Sequence, residues 1–439
     1  MAPISAQFYD YPGKKLITFG VTGTDGKSSV VFLIWQFLRF LGKKAGFIST
    51  VQYSIGDDAI DNIEHRTTPE APIIQKTLYD MLKNGCEYAV LETSSHGLSQ
   101  KTNRLGNIYF DAVAMMNVGY EHLEFHGTFE QYKSDKANLF RNLISHDHIK
   151  TVGGKTITVP CLGVVNAADA SARYFAECAA PCKIAGFTSK ALGDEHLSED
   201  FSAGIYRIED IRSDKKGSDF MLYTDSQNIP VRINLPGTFN ADNTVAAMIA
   251  VSAVTQTPIK ELVSLAKNLI PVRGRMMLVE KGQPFEILID YAHTPVAFET
   301  IFPPLRKRIG KKKIISVFGA SGERDTQKRP KLGAIASEYS DIIIIADDDP
   351  HGEDTVVIAE DIARACTNKK RGETLFIIHE RPEAIHTAFS FAEKGDLVLL
   401  LGKAHENSMI YKDYIAHYDE KAEAEKALAN MGFTEKEDI

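Results

Sequence analysis

Short apolar runs separated by helical segments recur along most of this 439-residue chain, and that alternation restricts its fold more than any other feature. Lys15 to Gly20, Tyr88 to Leu91 and Ala112 to Met116 are runs of strand length with amphipathic segments between them. A second series follows at Ile287 to Asp290, Lys313 to Phe318, Asp341 to Ala346, Leu375 to His379 and Leu397 to Leu401. Strand, helix and strand in succession close as parallel βαβ units with helices on the sheet faces. The predicted class is therefore α/β. A P-loop-type domain with a mostly parallel sheet is expected over residues 1–271, and a second, doubly wound, Rossmann-like domain over residues 272–439. Between the two series, from about Gly153 to Pro236, short β-like stretches such as Phe220 to Tyr223 and Val231 to Leu235 suggest an inserted or flanking β-layer. Helices near Ala241 and over Ile259 to Leu269 then lead to a Pro-Val-Arg-Gly-Arg junction.

The net charge of −8 provides no basic field for nucleic acid or an anionic membrane, so neither is an expected partner. The N-terminal residues lack the apolar core of a secretory signal, and no apolar run reaches membrane-spanning length. A cytoplasmic, monomeric enzyme is the expectation. The five cysteines, Cys86, Cys161, Cys178, Cys182 and Cys366, are odd in number and scattered, which points to reduced thiols.

Gly20-Val-Thr-Gly23-Thr24-Asp25-Gly26-Lys27-Ser28-Ser29 lies between a predicted strand and a predicted helix. That is the setting a phosphate-binding loop requires: backbone N–H groups cradle the anion, Lys27 adds a charge, and the Ser28 hydroxyl can ligate Mg²⁺. Glu92 ends the next strand, where a carboxylate can hold the metal opposite Ser28. Asn117 ends another and is followed by Glu121, His122 and His126, a group better suited to a site than a lone histidine. The three polar clusters GASGERD, DDDPHGED and GKAHE each follow a strand of the second series, so they should converge outside its carboxyl edge.

In order, the stretches GVTGTDGKSS, TTPE, ETSSHGL, NVGYEHLEFHGT, YKSDKANLF, GTFNADNTVAA, GRM, DYAHTP, GASGERDTQKRP and GKAHE resemble the Mur ligase family, within it the branch that adds a diamino acid to a UDP-N-acetylmuramoyl dipeptide. The likeness runs from Gly20 almost to the C-terminus. It implies an ATP- and Mg²⁺-dependent ligase of peptidoglycan synthesis, with Lys27 and Ser28 on the phosphates and metal, Glu92 on one metal, His122 near a second, and a carbamylated Lys136. Gly23, Thr24, Asp25, Gly26, Ser29, Asn117, Asn240, Asn243, Arg275, Asp290 and His293 are implied around the nucleotide. Thr67, Thr68, Ser94, Gln100 and Arg104 are implied around the carboxylate acceptor. Lys101-Thr102-Asn103 interrupts the family's glutamine-to-arginine spacing before Arg104. Members of this family carry a further domain ahead of the loop for the uridine diphosphate, whereas nineteen residues precede Gly20 here.

The implied reaction begins with attack of a carboxylate on the γ-phosphate, and the resulting acyl phosphate is then attacked by the amino acid's amine. Arg324 is expected on the α-carboxylate, with Gly402 and Glu406 completing the pocket. Diaminopimelate-selecting members carry Asn-Pro-Arg where this chain has Asp349-Pro350-His351 after Asp348. An L-lysine-like diamino acid is the expected substrate, with meso-diaminopimelate as the alternative. A folylpolyglutamate- or cyanophycin-type ligase and a non-catalytic nucleotide-binding module are the other readings. A hinge near Pro271 to Gly274 is expected to let the two domains close.

Overall fold

The computed structural model describes residues 1–62, 66–191 and 201–434. The chain divides into two compact units, Met1–Ile270 and Pro271–Ile439.

In the first unit, Ile17–Thr22 is a central strand whose six residues are all buried. It pairs in parallel with Tyr88–Glu92 on one side and Ala112–Met115 on the other. Ala45–Ile48 extends the parallel array beyond the first neighbour. Leu162–Asn166, Lys183–Thr188 and Ile205–Ser213 extend it beyond the second. Burial on both faces explains why these strands read as continuous apolar runs. Antiparallel strands close both edges, Ser218–Tyr223 and Asn228–Ile233 at one and Gln52–Ser54 and Ile60–Asp61 at the other. The β-rich stretch after Gly153 is thus not a separate layer. Its strands from Leu162 to Ile233 continue the main sheet, while a small hairpin of Ile149–Val152 and Lys155–Thr158 stands apart.

Helix Lys27–Phe40 packs against helix Phe239–Thr255, while Phe129–Leu143 packs over Ile17–Thr22 and Ala112–Met115. Helix Phe239–Thr255 is buried along most of its length, which suits its run of Ala, Val, Ile and Met. Among the described residues, no helix is long and apolar enough to cross a membrane.

The second unit holds a six-stranded sheet in the order Met277–Leu278, Glu286–Asp290, Leu397–Leu401, Ile314–Phe318, Ile342–Ile345, Leu375–Ile377. All its pairings are parallel except that of Met277–Leu278. Alternate residues of the strands, among them Ile287, Ile289, Ile315, Val317, Val398 and Leu400, form one core with Ala384, Ile385 and Phe389 of helix Arg381–Phe391 and Leu428 of helix Glu420–Asn430. On the other face, helices Pro295–Ile309, Lys328–Tyr339 and Thr355–Ala363 pack in succession.

The cysteines depart from expectation. Cys161 and Cys182 form a disulfide with a Cα–Cα distance of 5.9 Å, and Cys86, Cys178 and Cys366 are free. Scattered cysteines suggest reduced thiols, but adjacent parallel strands start at Leu162 and Lys183 and bring the residues before them, Cys161 and Cys182, side by side.

Candidate active site

The chain leaves strand Ile17–Thr22 through Gly23, Thr24, Asp25 and Gly26 and enters helix Lys27–Phe40 at once. Gly26, the helix N-cap, has φ +84°, and a Cβ there would lie 2.8 Å from Asn243 Oδ1, so both backbone and space demand glycine. Asn117, just past strand Ala112–Met115, braces the loop: its Oδ1 accepts from the Thr24 N–H at 2.9 Å and the Asp25 N–H at 2.8 Å. Thr24 Oγ1 accepts from the Gly119 N–H at 2.8 Å and lies 3.0 Å from the Tyr132 hydroxyl. Because Asn117 engages those two loop amides, an anion would be met chiefly by the first turn of the helix, at Lys27, Ser28 and Ser29. The Lys27 ammonium donates to the Thr24 carbonyl at 2.9 Å, which holds it over the loop.

Glu92 is buried at the end of strand Tyr88–Glu92. Its Oε2 accepts from the Ser28 hydroxyl and from the Thr50 N–H, both at 2.8 Å, and its Oε1 from the Thr50 hydroxyl at 3.0 Å. A serine hydroxyl and a carboxylate in direct contact are hard oxygen donors, so the pair fits Mg²⁺. Lys136, on helix Phe129–Leu143, is buried and donates to the Gly23 carbonyl at 2.7 Å, with its ammonium 4.5 Å from the Tyr132 ring centre. Burial, and after it the Lys27 charge, push Lys136 well below the lysine range, against the pull of Glu121, Asp25 and Glu92. Its amine is therefore held toward the neutral, nucleophilic form.

His122 is in the left-handed region at φ 55° and half-exposed, with Glu124 at 3.4 Å, Glu121 at 3.6 Å and the His96 ring centre at 4.9 Å. His96 itself is pushed down to about 4, chiefly by burial and then by His122 and His126. His126 is fixed by Asp135 at 2.7 Å and Ser95 Oγ at 3.0 Å, which makes it part of the scaffold.

The residues implied around the acceptor form a chain of contacts beside Glu92. Thr67 Oγ1 lies 3.0 Å from Thr50 Oγ1, whose proton goes to Glu92. The Thr68 hydroxyl donates to the Glu92 carbonyl at 3.2 Å and accepts from the Ser94 N–H at 2.9 Å. Arg104 donates to the Thr68 carbonyl at 3.0 Å and pairs with Glu70 at 2.7 Å, so it joins this group despite its altered spacing. Gln100 lies exposed in the turn beyond helix Ser95–Leu98. Asn240 and Asn243 are buried in the first turn of helix Phe239–Thr255 and hydrogen-bonded to each other at 3.1 Å.

In the second unit the three polar clusters do meet, at the carboxyl ends of neighbouring strands. The Gly322 N–H donates to the Asp349 carbonyl at 3.0 Å, and a Cβ on Gly322 would lie 1.9 Å from the Pro350 carbonyl oxygen. The Gly352 N–H donates to Glu323 Oε1 at 3.2 Å. Arg329, buried, makes two 2.7 Å bonds to Glu353. Arg324 is exposed on the same loop. Asp348, Asp349 and Glu406 bring carboxylate oxygens within 4.8 Å of one another. Sequence reasoning missed what lies among them: the buried Lys403 ammonium donates to Asp349 Oδ1 at 2.8 Å and Glu406 Oε2 at 2.6 Å. Burial alone would lower Lys403, but Glu406, Asp348 and Asp349 together raise it. Its place in the GKAHE stretch was the available signal. Burial, with Asp348 and Asp349 assisting, outweighs Lys403 and raises Glu406. His351, at φ 51°, donates its N–H to the Ile410 carbonyl at 3.0 Å.

Nearby, Asp290 accepts from the Met276 and Ala292 N–H groups, both at 2.8 Å, and its carbonyl from the Gly402 N–H at 3.1 Å. Arg275 stacks 4.7 Å from the Tyr291 ring centre, and the Tyr291 hydroxyl donates to Glu406 at 3.1 Å. His293 Nδ1 lies 2.8 Å from the Tyr291 carbonyl.

Residues 21–251, more than half of the chain, match the family description "Mur ligase middle domain". The chain belongs to the Mur ligase family. Residues 274–404 match "Mur ligase, glutamate ligase domain". This Mur ligase is 50% identical over 438 residues to a UDP-N-acetylmuramyl-tripeptide synthetase of Treponema denticola, covering 99% of this chain and 80% of that protein. It is 34% identical over 435 residues to a UDP-N-acetylmuramoyl-L-alanyl-D-glutamate--2,6-diaminopimelate ligase of Clostridioides difficile, covering 98% and 82%. A solved structure of a ligase of the latter name resembles this Mur ligase with a TM-score of 0.63 at 28% identity, covering 96% of this chain and 80% of that one.

Proposed function

We propose that this Mur ligase forms an amide bond between the D-glutamate carboxylate of a UDP-N-acetylmuramoyl dipeptide and the α-amine of a diamino acid, using ATP, in the cytoplasmic steps of peptidoglycan synthesis. The arrangement of Lys27, Ser28, Glu92 and Lys136 around one glycine-bearing loop is the observation that carries this reading. Mg²⁺, when bound by Ser28 and Glu92, would neutralise charge on the transferring phosphate. Lys27 and the first helical turn orient that phosphate. The chain of hydroxyls from Thr50 through Thr67 and Thr68 to Ser94 lies beside Glu92, where an acceptor carboxylate could be aligned. A carbamate on Lys136 would turn the buried amine into a further anionic metal ligand. Uptake of isotope-labelled bicarbonate, read as a carbamate carbon by NMR and lost in Lys136→Ala, is the expected signature; an identical spectrum from both proteins would remove that assignment.

For the amino acid, we propose a lysine-like side chain with a distal ammonium and no distal carboxylate. Three carboxylates against the one ammonium of Lys403 favour an acidic pocket, and the sequence has His351 where the resemblance would put an arginine in diaminopimelate-selecting members. A second substrate carboxylate would meet like charge costing several kcal/mol. In an assay of ADP release driven by the dipeptide acceptor, lysine is expected to exceed meso-diaminopimelate in kcat/KM by about 10²-fold or more. Equal efficiencies would overturn the amino-acid assignment and leave the ligase reading standing. ADP release independent of both acceptor and amino acid would sink the ligase reading itself.

A further inference from the structure

Strand Leu162–Asn166 ends in the sequence Asn166-Ala-Ala-Asp169, and its parallel register with Ala112–Met115 sets that turn beside the segment that carries Asn117. Met115 is level with Val165, so the next residues on each strand, Met116 and Asn166, meet at the carboxyl edge of the sheet. Asn166 Nδ2 donates to the Met116 carbonyl at 3.0 Å, and its Oδ1 accepts from the Ala168 N–H at 3.1 Å. Asp169 Oδ2 accepts from the Val118 N–H and its Oδ1 from the Ser171 N–H, both at 2.8 Å. Both side chains are half-buried, and these bonds commit them to backbone.

The segment from Met116 to Gly119 is thus held from two sides. Toward the phosphate loop, the Met116 N–H donates to the Thr22 carbonyl at 3.0 Å, and the Asn117 carbonyl shares the Thr24 N–H with its own Oδ1, at 2.9 Å each. Asn117 Nδ2 also donates to the Asp25 carbonyl at 3.3 Å. A Cβ on Gly23 would lie 3.0 Å from Met116 Cβ, so segment and loop touch as well as bond. From Thr24 the path continues to Lys27, whose ammonium donates to the Thr24 carbonyl at 2.9 Å. Contacts therefore run from Asp169 to Val118, along the backbone to Asn117, and across the loop to the lysine.

We infer that Asp169, together with Asn166, is a positioning residue for Lys27. It fixes the segment that fixes the loop, and with it the direction in which the ammonium meets the transferring phosphate. A group that meets developing charge has to be held within about 0.5 Å of its productive place by supports of this kind. A carboxylate suits the task because its two oxygens accept two N–H groups at once, through bonds stronger than neutral ones. The inference rests on Lys27 meeting the ATP phosphates, as proposed above.

In the whole chain, with acceptor and diamino acid saturating, Asp169→Ala is expected to lower kcat for ADP release by about 10-fold or more, since a misplacement of about 1 Å can cost that much. Fluorescent-nucleotide affinity should change far less. Asn166→Ala should act in the same direction from the other end of the segment, and Asp169→Asn, which keeps one acceptor oxygen, should fall between Asp169→Ala and the unaltered chain. The deciding measurement is a double-mutant cycle: added to Lys27→Ala, Asp169→Ala should cost less than about 2-fold more, because the group it aims is already gone. If Asp169→Ala does not fold, the same cycle run with Asn166→Ala decides. A turn that only supports the fold would lower the thermal midpoint and multiply its loss in kcat onto that of Lys27→Ala. Undiminished kcat in both single variants, or the same fold-loss with and without Lys27, would overturn the inference and leave the ligase reading standing. Full kcat in Lys27→Ala would instead remove the phosphate role of Lys27, and this inference with it.

Discussion

Lys27→Ala is expected to lower kcat by about 10²–10³-fold, the usual cost of removing one positioned group that meets charge developing in a transition state. The Lys27 ammonium is held by the Thr24 carbonyl at 2.9 Å, above a loop whose own amides are partly engaged by Asn117. Fewer free amides leave the side chain a larger share of the phosphate. The loss should therefore fall on kcat more than on nucleotide affinity, since charge on the transferring group grows along the reaction. Steady-state ADP release and fluorescent-nucleotide binding, measured on the same preparation, separate the two. A variant that bound nucleotide weakly but turned over normally at saturation would show that Lys27 only anchors.

In Arg381→Met, the second unit is expected to lose about 3–5 kcal/mol, because the substitution strands Glu420 as a buried, unpaired charge. Arg381 Nε donates to Glu420 Oε2 at 2.9 Å, and its Nη2 donates to Glu420 Oε1 and the Leu401 carbonyl, each at 2.7 Å. Both side chains are almost wholly excluded from water, and the Tyr418 hydroxyl also donates to Glu420. The pair joins the starts of helices Arg381–Phe391 and Glu420–Asn430 to the end of strand Leu397–Leu401. Urea unfolding followed by a probe in this unit reads the loss. The double variant Arg381→Met with Glu420→Gln should lose less than the two single losses combined, since neither partner is then left charged. Strict additivity would mean that the pair is energetically unimportant.

Much of the strand framework was legible because both sheets are mainly parallel and buried on both faces. Such strands appear as compact apolar runs, and predicted runs such as Leu397 to Leu401 and Tyr88 to Leu91 coincide with strands to within a residue. The stretch after Gly153 was harder. Strands Leu162–Asn166 and Lys183–Thr188 are separated by only the short helix Ala172–Cys178, and Ile205–Ser213 is mostly polar outside its buried Ile208, so no strong period marked them as members of the main sheet. The glycine turn with Lys27 and Ser28 was readable from local order alone. The contact between Ser28 and Glu92 spans 64 residues and depended on recognising which strand lies next to which. Lys403 escaped because a lysine within a polar motif gives no local sign of burial. Only the fold places it among Asp348, Asp349 and Glu406.

That internal cation has a further consequence. Carboxylates crowded within 4.8 Å would repel one another and splay the loops that carry them, were no counterion supplied from within. Lys403 lets the second unit's loops keep one conformation at rest, so little reorganisation free energy is spent when an amino acid arrives. Recognition built this way should tolerate changes in ionic strength, because the decisive charges are already shielded from the bulk and anchored to the backbone at Ile410.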